Sequence, residues 1–127
     1  MIVDKKTEQI LATHFCHGSK HDFQLFKDSR SAVAHCTCSL ADTGYQGLAQ
    51  LHGNSRTPAK KSKHHPLTHE QRVSNRALSR IRIRVENVIC RLKTFRILSE
   101  RYRNRRTRFS LRFNLIAAIC NLELSSA

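Results

Sequence analysis

The stretch "THEQRVSNRALSRIRIRVENVICRLKTFRIL", residues 68–98, limits what this chain can fold into more than any other part of it. Its first four residues form a capping box, in which the Thr68 hydroxyl reaches forward to a free amide and Gln71 reaches back. Ile81, Val85, Val88, Leu92 and Phe95 then recur at steps of four and three. That spacing places them on one face of a helix, so it predicts a single helix over about 68–98 with its apolar stripe against a core. The rest of the surface is basic. Between Arg72 and Arg96 stand eight Lys or Arg (72, 76, 80, 82, 84, 91, 93 and 96) and a single acid, Glu86.

The flanking segments read less sharply. Residues 7–16, "TEQILATHFC", have the apolar and Thr content of a strand, followed by Gly18 as a turn residue. Phe23, Phe26 and Val33 predict a helix over about 22–33, with Asp22 as its N-cap. "HCTCSLAD" reads as a short, weak strand running into "DTGYQG", where Gly44 and Gly47 mark a tight turn. Residues 54–68 hold both prolines together with Lys60 and Lys61, and read as a mobile basic connector with a short strand at its start. "RYRNRRTR", 101–108, is too charged for a core. It leads to a last helix, about 108–122, with Phe109, Phe113, Ile116 and Cys120 on one face. The organisation is thus a strand and helix part (1–50), a basic connector (51–67), the long helix (68–98), and a basic segment with the final helix (101–124). Strands alternating with helices predict an α/β domain with helices packed on a sheet. The strands are few, and the chain starts abruptly in strand-like sequence, as if the first part of a domain were missing.

Charge narrows the partner. The 127 residues carry a formal net charge of +14, yet residues 1–50 are balanced, so the excess lies wholly in 51–127. A one-sided basic half implies a polyanion, most commonly DNA or RNA, bound through released counterions and therefore sensitive to salt. Anionic lipid or ribosomal RNA is the plainer alternative. There is no apolar run of the ~18 residues a membrane span requires. "MIVDKKTEQI" has no basic segment followed by an apolar one, so a secretion signal is not expected. Five cysteines, an odd number, suggest reduced thiols in a cytoplasm. The cluster His35, Cys36 and Cys38, with Cys16 and His17 upstream, invites zinc. However, C-x-C is not the usual ligand spacing, and core and surface roles are the default.

Two acids stand where chemistry could use them. On a helix of 100° per residue, Arg82, Glu86 and Lys93 share a polar stripe along the edge of the apolar face. There Glu86 is expected to be partly shielded from water. In the plain reading Glu86 is an i, i+4 partner of Arg82, worth ~0.3–0.5 kcal/mol. In the functional reading it converges with Asp42, at the end of a predicted strand before a glycine turn, to hold a divalent ion. Two such ions ~3.5–4 Å apart serve phosphodiester cleavage. Two ions normally need three or more carboxylates, and only these two are well placed.

"HDFQLFKDS", "ADTGYQG", "TPAKK", "RIRVENVICRLKTFRIL" and "YRNRRTRFSLRFNLIAAICN" together resemble bacterial insertion-sequence transposases of the DDE superfamily, the group related to Harbinger-type transposases. The resemblance covers nearly the whole chain in order. It implies a ribonuclease H-like α/β fold and an Asp–Asp–Glu triad that uses two Mg2+ (or Mn2+) ions to cut DNA at transposon ends and join them to a target. By this resemblance Asp42 matches the second aspartate and Glu86 the catalytic glutamate, both as metal ligands. Arg82 and Lys93 match the R-x3-E-x6-K pattern and contact DNA, as Lys60, Lys61, Arg101, Arg103, Arg105 and Arg106 are expected to do. The resemblance also implies a nucleoid-associated, cytoplasmic enzyme that is oligomeric when complete.

Two departures stand out. Ser79 occupies a position where the pattern often has tyrosine. The first aspartate has no counterpart: Asp4 matches a later strand and lies too near Asp42, so it reads as structural. On this resemblance the chain is a C-terminal portion with its first strand missing, expected to be inactive alone or to act with an upstream transposase polypeptide. The alternative is a DNA-binding fragment that does not cut and inhibits the full enzyme. Tyr45 and Gln46 read as DNA contacts near the metals, with packing an equal reading for Tyr45, while Asn114 reads as structural.

Overall fold

The computed structural model describes residues 1–16, 18–101 and 106–126, which form two compact units. One comprises residues 1–15 and 81–127, the other residues 16–80. The architecture is mixed α/β, with two small sheets and C-terminal helices.

In the first unit, β1 (Ile2–Val3) and β2 (Ile10–Ala12) pair antiparallel around a turn built by Asp4. Its carboxylate accepts the backbone N–H of Lys6 (2.7 Å) and of Thr7 (2.8 Å), and Glu8 supplies the left-handed residue (φ 59°) that returns the chain. Those two amide bonds, that from Thr7 foremost, hold the Asp4 carboxyl below the usual carboxylate range. The structural assignment of Asp4 thus has a geometric basis. The predicted strand over 7–16 shrinks to three residues, because only these find a partner.

The capping box forms reciprocally: Thr68 N–H donates to Gln71 Oε1 at 3.0 Å, and Gln71 N–H donates to Thr68 Oγ1 at 3.2 Å. It starts α3 (His69–Lys93), after α1 (Asp22–Asp28) and α2 (Leu48–Leu51) earlier in the chain. The helix does not run on to 98. The Thr94 hydroxyl and amide both donate to Arg91 C=O (2.7 and 3.1 Å), a tight closure that ends the i→i−4 ladder. Phe95 is then extended, and α4 (Arg96–Ser99) begins. The apolar stripe nonetheless does what its spacing demands. Val88 and Leu92 from α3 are buried with Ile10 and with Ile116, Ala117 and Cys120 of α5 (Phe109–Ser126), while Val3, Phe95, Ile97, Leu98 and Phe113 pack around them. Burial raises the Cys120 thiol pKa above its ordinary value.

In the second unit, β3 (Ser39–Leu40) and β4 (Ser55–Arg56) pair in parallel, the latter at the start of the basic connector as expected. Helix α1 is shorter than 22–33. Ser29 Oγ donates to Phe26 C=O at 2.6 Å and Arg30 turns left-handed (φ 48°), local bonds that stop the helix. Its N-cap is His21, whose Nδ1 accepts Phe23 N–H at 3.3 Å; Asp22 is the first helical residue instead of the cap. The glycine turn resolves into a 3-10 turn, Thr43–Tyr45, and then α2, which the sequence reading did not anticipate. Gly47 enters α2 at φ 93°, and a Cβ there would meet the Phe23 ring at 3.6 Å. The expectation of helices on a sheet holds in part: among the described residues the strands form two separate pairs instead of one sheet, while α5 packs on β2 through Ile10, with Val88 and Leu92 of α3 completing the same core.

Candidate functional site

Asp42 caps the 3-10 turn that follows β3. Its Oδ1 accepts Thr43 N–H at 2.6 Å and Thr43 Oγ1–H at 3.2 Å. A strand end followed by a glycine-bearing turn orients the carboxylate through its own backbone, and Asp42 is only part-exposed. Tyr45 lies edge-on to Phe23 and Phe26 at 6.0 and 6.3 Å, and Gln46 Nε2 donates to Pro58 C=O at 3.1 Å. The Tyr45 ring therefore packs the turn, while the exposed Gln46 ties it to Pro58. Desolvation, with the charges of Asp22 and Asp42 behind it, raises the Tyr45 pKa.

Glu86 sits midway along α3, in the first unit. Its Oε1 lies 3.8 Å from Arg82 Nη2, the i, i+4 pair that helical spacing allows. The expected shielding is absent: the Glu86 side chain is 61% exposed, because that edge of α3 meets solvent among the described residues. Such a pair in water stabilises little. The carboxylate is thus reachable from solvent, which a ligand group needs and an internal structural group does not.

Asp42 and Glu86 belong to different units. Both are hard oxygen donors of the kind Mg2+ accepts. Among the described residues, however, no three His, Cys, Asp or Glu side chains gather where a metal could bind. The donors fit a divalent ion in kind but not a two-ion centre in number, and no cleavage step is derived from these two alone. Cys16, Cys36, Cys38 and Cys90 are exposed thiols. His35 stacks on His52, whose Nε2 is 2.7 Å from Thr37 C=O. These residues are explained as surface and packing groups.

The expected DNA contacts Arg82, Lys93, Lys60, Lys61, Arg101 and Arg106 are all exposed; Arg103 and Arg105 lie outside the described residues. Other basic groups prove structural. Arg91 Nη2 pairs with Glu8 Oε2, and Arg84 Nη1 donates to Lys5 C=O at 3.1 Å, both fastening α3 to the β1–β2 turn. Conversely, Arg72, Arg76 and Arg80 are exposed at successive i+4 steps, a row whose spacing was legible but was not singled out. Asn114 accepts the Thr13 hydroxyl, a structural role.

The chain belongs to the DDE superfamily endonucleases, whose family profile matches residues 1–121. Among curated relatives it is 48% identical over 125 residues to the "Probable transposase for insertion sequence element IS702" of Microchaete diplosiphon. That match covers 98% of this chain and 45% of the relative, so the chain spans less than half of that relative's length. No solved structure matches it. Endonucleases of this superfamily generally use divalent metal ions, and no described helix is long and apolar enough to cross a membrane.

Proposed function

We propose that this chain is the glutamate-bearing part of a DDE transposase catalytic domain of ribonuclease H-like ancestry, acting on DNA at insertion-sequence ends and at target sites. Membership of the endonuclease family over residues 1–121 carries this reading. Asp42 and Glu86 serve as two ligands of a Mg2+ (or Mn2+) site, and a further carboxylate comes from polypeptide beyond these 127 residues. When bound, divalent ions of this type activate an attacking oxygen and stabilise a leaving one in phosphoryl transfer. The chain's own contribution is positioning. Arg82 and Lys93 flank Glu86 on α3, so phosphates attracted to them lie beside the carboxylate. Lys60, Lys61, Arg101, Arg103, Arg105 and Arg106 add affinity for the backbone without reading sequence. The complete enzyme is cytoplasmic, nucleoid-associated and oligomeric.

Calorimetric titration with Mg2+ in the presence of duplex DNA tests this assignment. Asp42→Ala and Glu86→Ala should each weaken Mg2+ binding; unchanged affinity in both would remove the metal role. On supercoiled plasmid the isolated chain should not nick, and Mg2+-dependent nicking by it would overturn the need for another carboxylate.

A second reading has its own support in the Arg82–Glu86 pair and the lack of a three-ligand cluster among the described residues. In it the chain binds DNA without metal and competes with full-length transposase. Indifference of DNA binding to Mg2+ and to both alanine variants would favour it.

A further inference from the structure

Helix α5 is apolar on two faces. Phe113, Ile116, Ala117 and Cys120 face the core, whereas Leu111, Leu115, Ile119 and Leu122 lie 45–66% exposed. At steps of four, four and three these four form a stripe within about 80° of arc, nearly opposite the buried face. A helix that is apolar all round is a buried helix, and a continuous exposed stripe of this kind marks a contact surface. No charged residue interrupts the stripe.

We infer that this outer face of α5 is the docking surface for the polypeptide that carries the rest of the DDE catalytic unit. The inference rests on the function proposed above. One observation chooses this occupant over a second copy of the chain. The curated relative is more than twice the length of the region matched, so in that protein a comparable body of polypeptide accompanies these residues. The occupant's chemistry follows from the surface: an apolar layer, with no acid or base required opposite the stripe. The β-hairpin constrains it further. Asn121 occupies the N–H and C=O of Ile10 (2.8 and 3.0 Å), which closes the outer edge of β2. The outer edge of β1 has no strand partner among the described residues, so an incoming strand has one edge to join.

The test is co-expression of the 127-residue chain with the portion of the Microchaete diplosiphon relative that it does not match, followed by size exclusion with light scattering. A 1:1 complex is expected, weakened at least about tenfold by the double change Leu115→Asp and Ile119→Asp. Because both residues are exposed, circular dichroism should show an unchanged fold; Leu111→Lys with Leu122→Lys provides an independent pair at the ends of the stripe. A wild-type homodimer that either pair dissolves would overturn the inference in favour of a second copy. A wild-type monomer that captures nothing would overturn it outright, as would a complex indifferent to both pairs. Duplex DNA binding by the uncomplexed wild-type chain is read separately, so failure of docking and failure of the DNA-related function are distinguishable.

Discussion

The Asn121 side chain takes both backbone groups of Ile10, accepting its N–H at 2.8 Å and donating to its C=O at 3.0 Å, and so ties the last helix to the first hairpin across 111 positions of sequence. Asn121→Leu leaves both groups without that partner in a part-buried setting. An unsatisfied buried group costs ~1–3 kcal/mol, so urea denaturation should show a loss in that range. A loss below about 0.5 kcal/mol would mean that water replaces the amide.

Leu92 is among the most buried side chains, at the centre of the contact between α3 and α5. Leu92→Ala removes three carbons and leaves a cavity, and ~2–5 kcal/mol of stability should go with them. By contrast Ile83, exposed on the same helix, should tolerate alanine within about 0.5 kcal/mol. Chemical denaturation of the two variants side by side makes the comparison.

Glu86 offers a separation of fold from function. Among the described residues its ion-pair partner is the solvent-exposed Arg82, so Glu86→Gln should change stability by less than about 1 kcal/mol. Under the proposed function the same change should strip Mg2+ affinity. Thermal denaturation and metal titration on one preparation read both, and a large stability loss would reassign Glu86 to a structural role.

Asp4 makes the hairpin sensitive to acid. Its folded-state pKa lies below the unfolded value of about 3.9, so it stabilises the fold above that pH, and this contribution is lost as pH falls through the depressed folded value. The stability gap between wild type and Asp4→Ala should therefore be open at pH 6 and should narrow toward pH 3. A gap that is constant over this range would show that the turn does not depend on the ionised carboxylate.

Exposed basic residues set a salt dependence. The logarithm of DNA affinity should fall linearly with the logarithm of salt concentration, and Lys93→Ala should reduce the slope by about 0.9. Arg91→Ala should alter it less, because Arg91 is already paired with Glu8. Fluorescence anisotropy over a range of NaCl concentrations supplies both slopes.

Local sequence sufficed where the determining contacts are themselves local. The capping box at Thr68 and Gln71, the stripe through Val88 and Leu92, and the burial of Ile116 and Cys120 follow from spacing and side-chain type alone. The acid Glu86 and the strand-end Asp42 were visible for the same reason, as isolated carboxylates beside recognisable elements. What pattern could not supply were outcomes decided by competition or by distant partners. The Thr94 bonds to Arg91 C=O break a stripe that periodicity would continue, and His21 displaces Asp22 as a cap. Periodicity also could not show that Arg84 and Arg91 face the hairpin while neighbouring arginines face water, because all lie on one basic helix. Only the tertiary structure decided that Asn121 closes the edge of β2 and that the Leu111–Leu122 face of α5 is left uncovered among the described residues, since both depend on which surfaces the rest of the chain reaches.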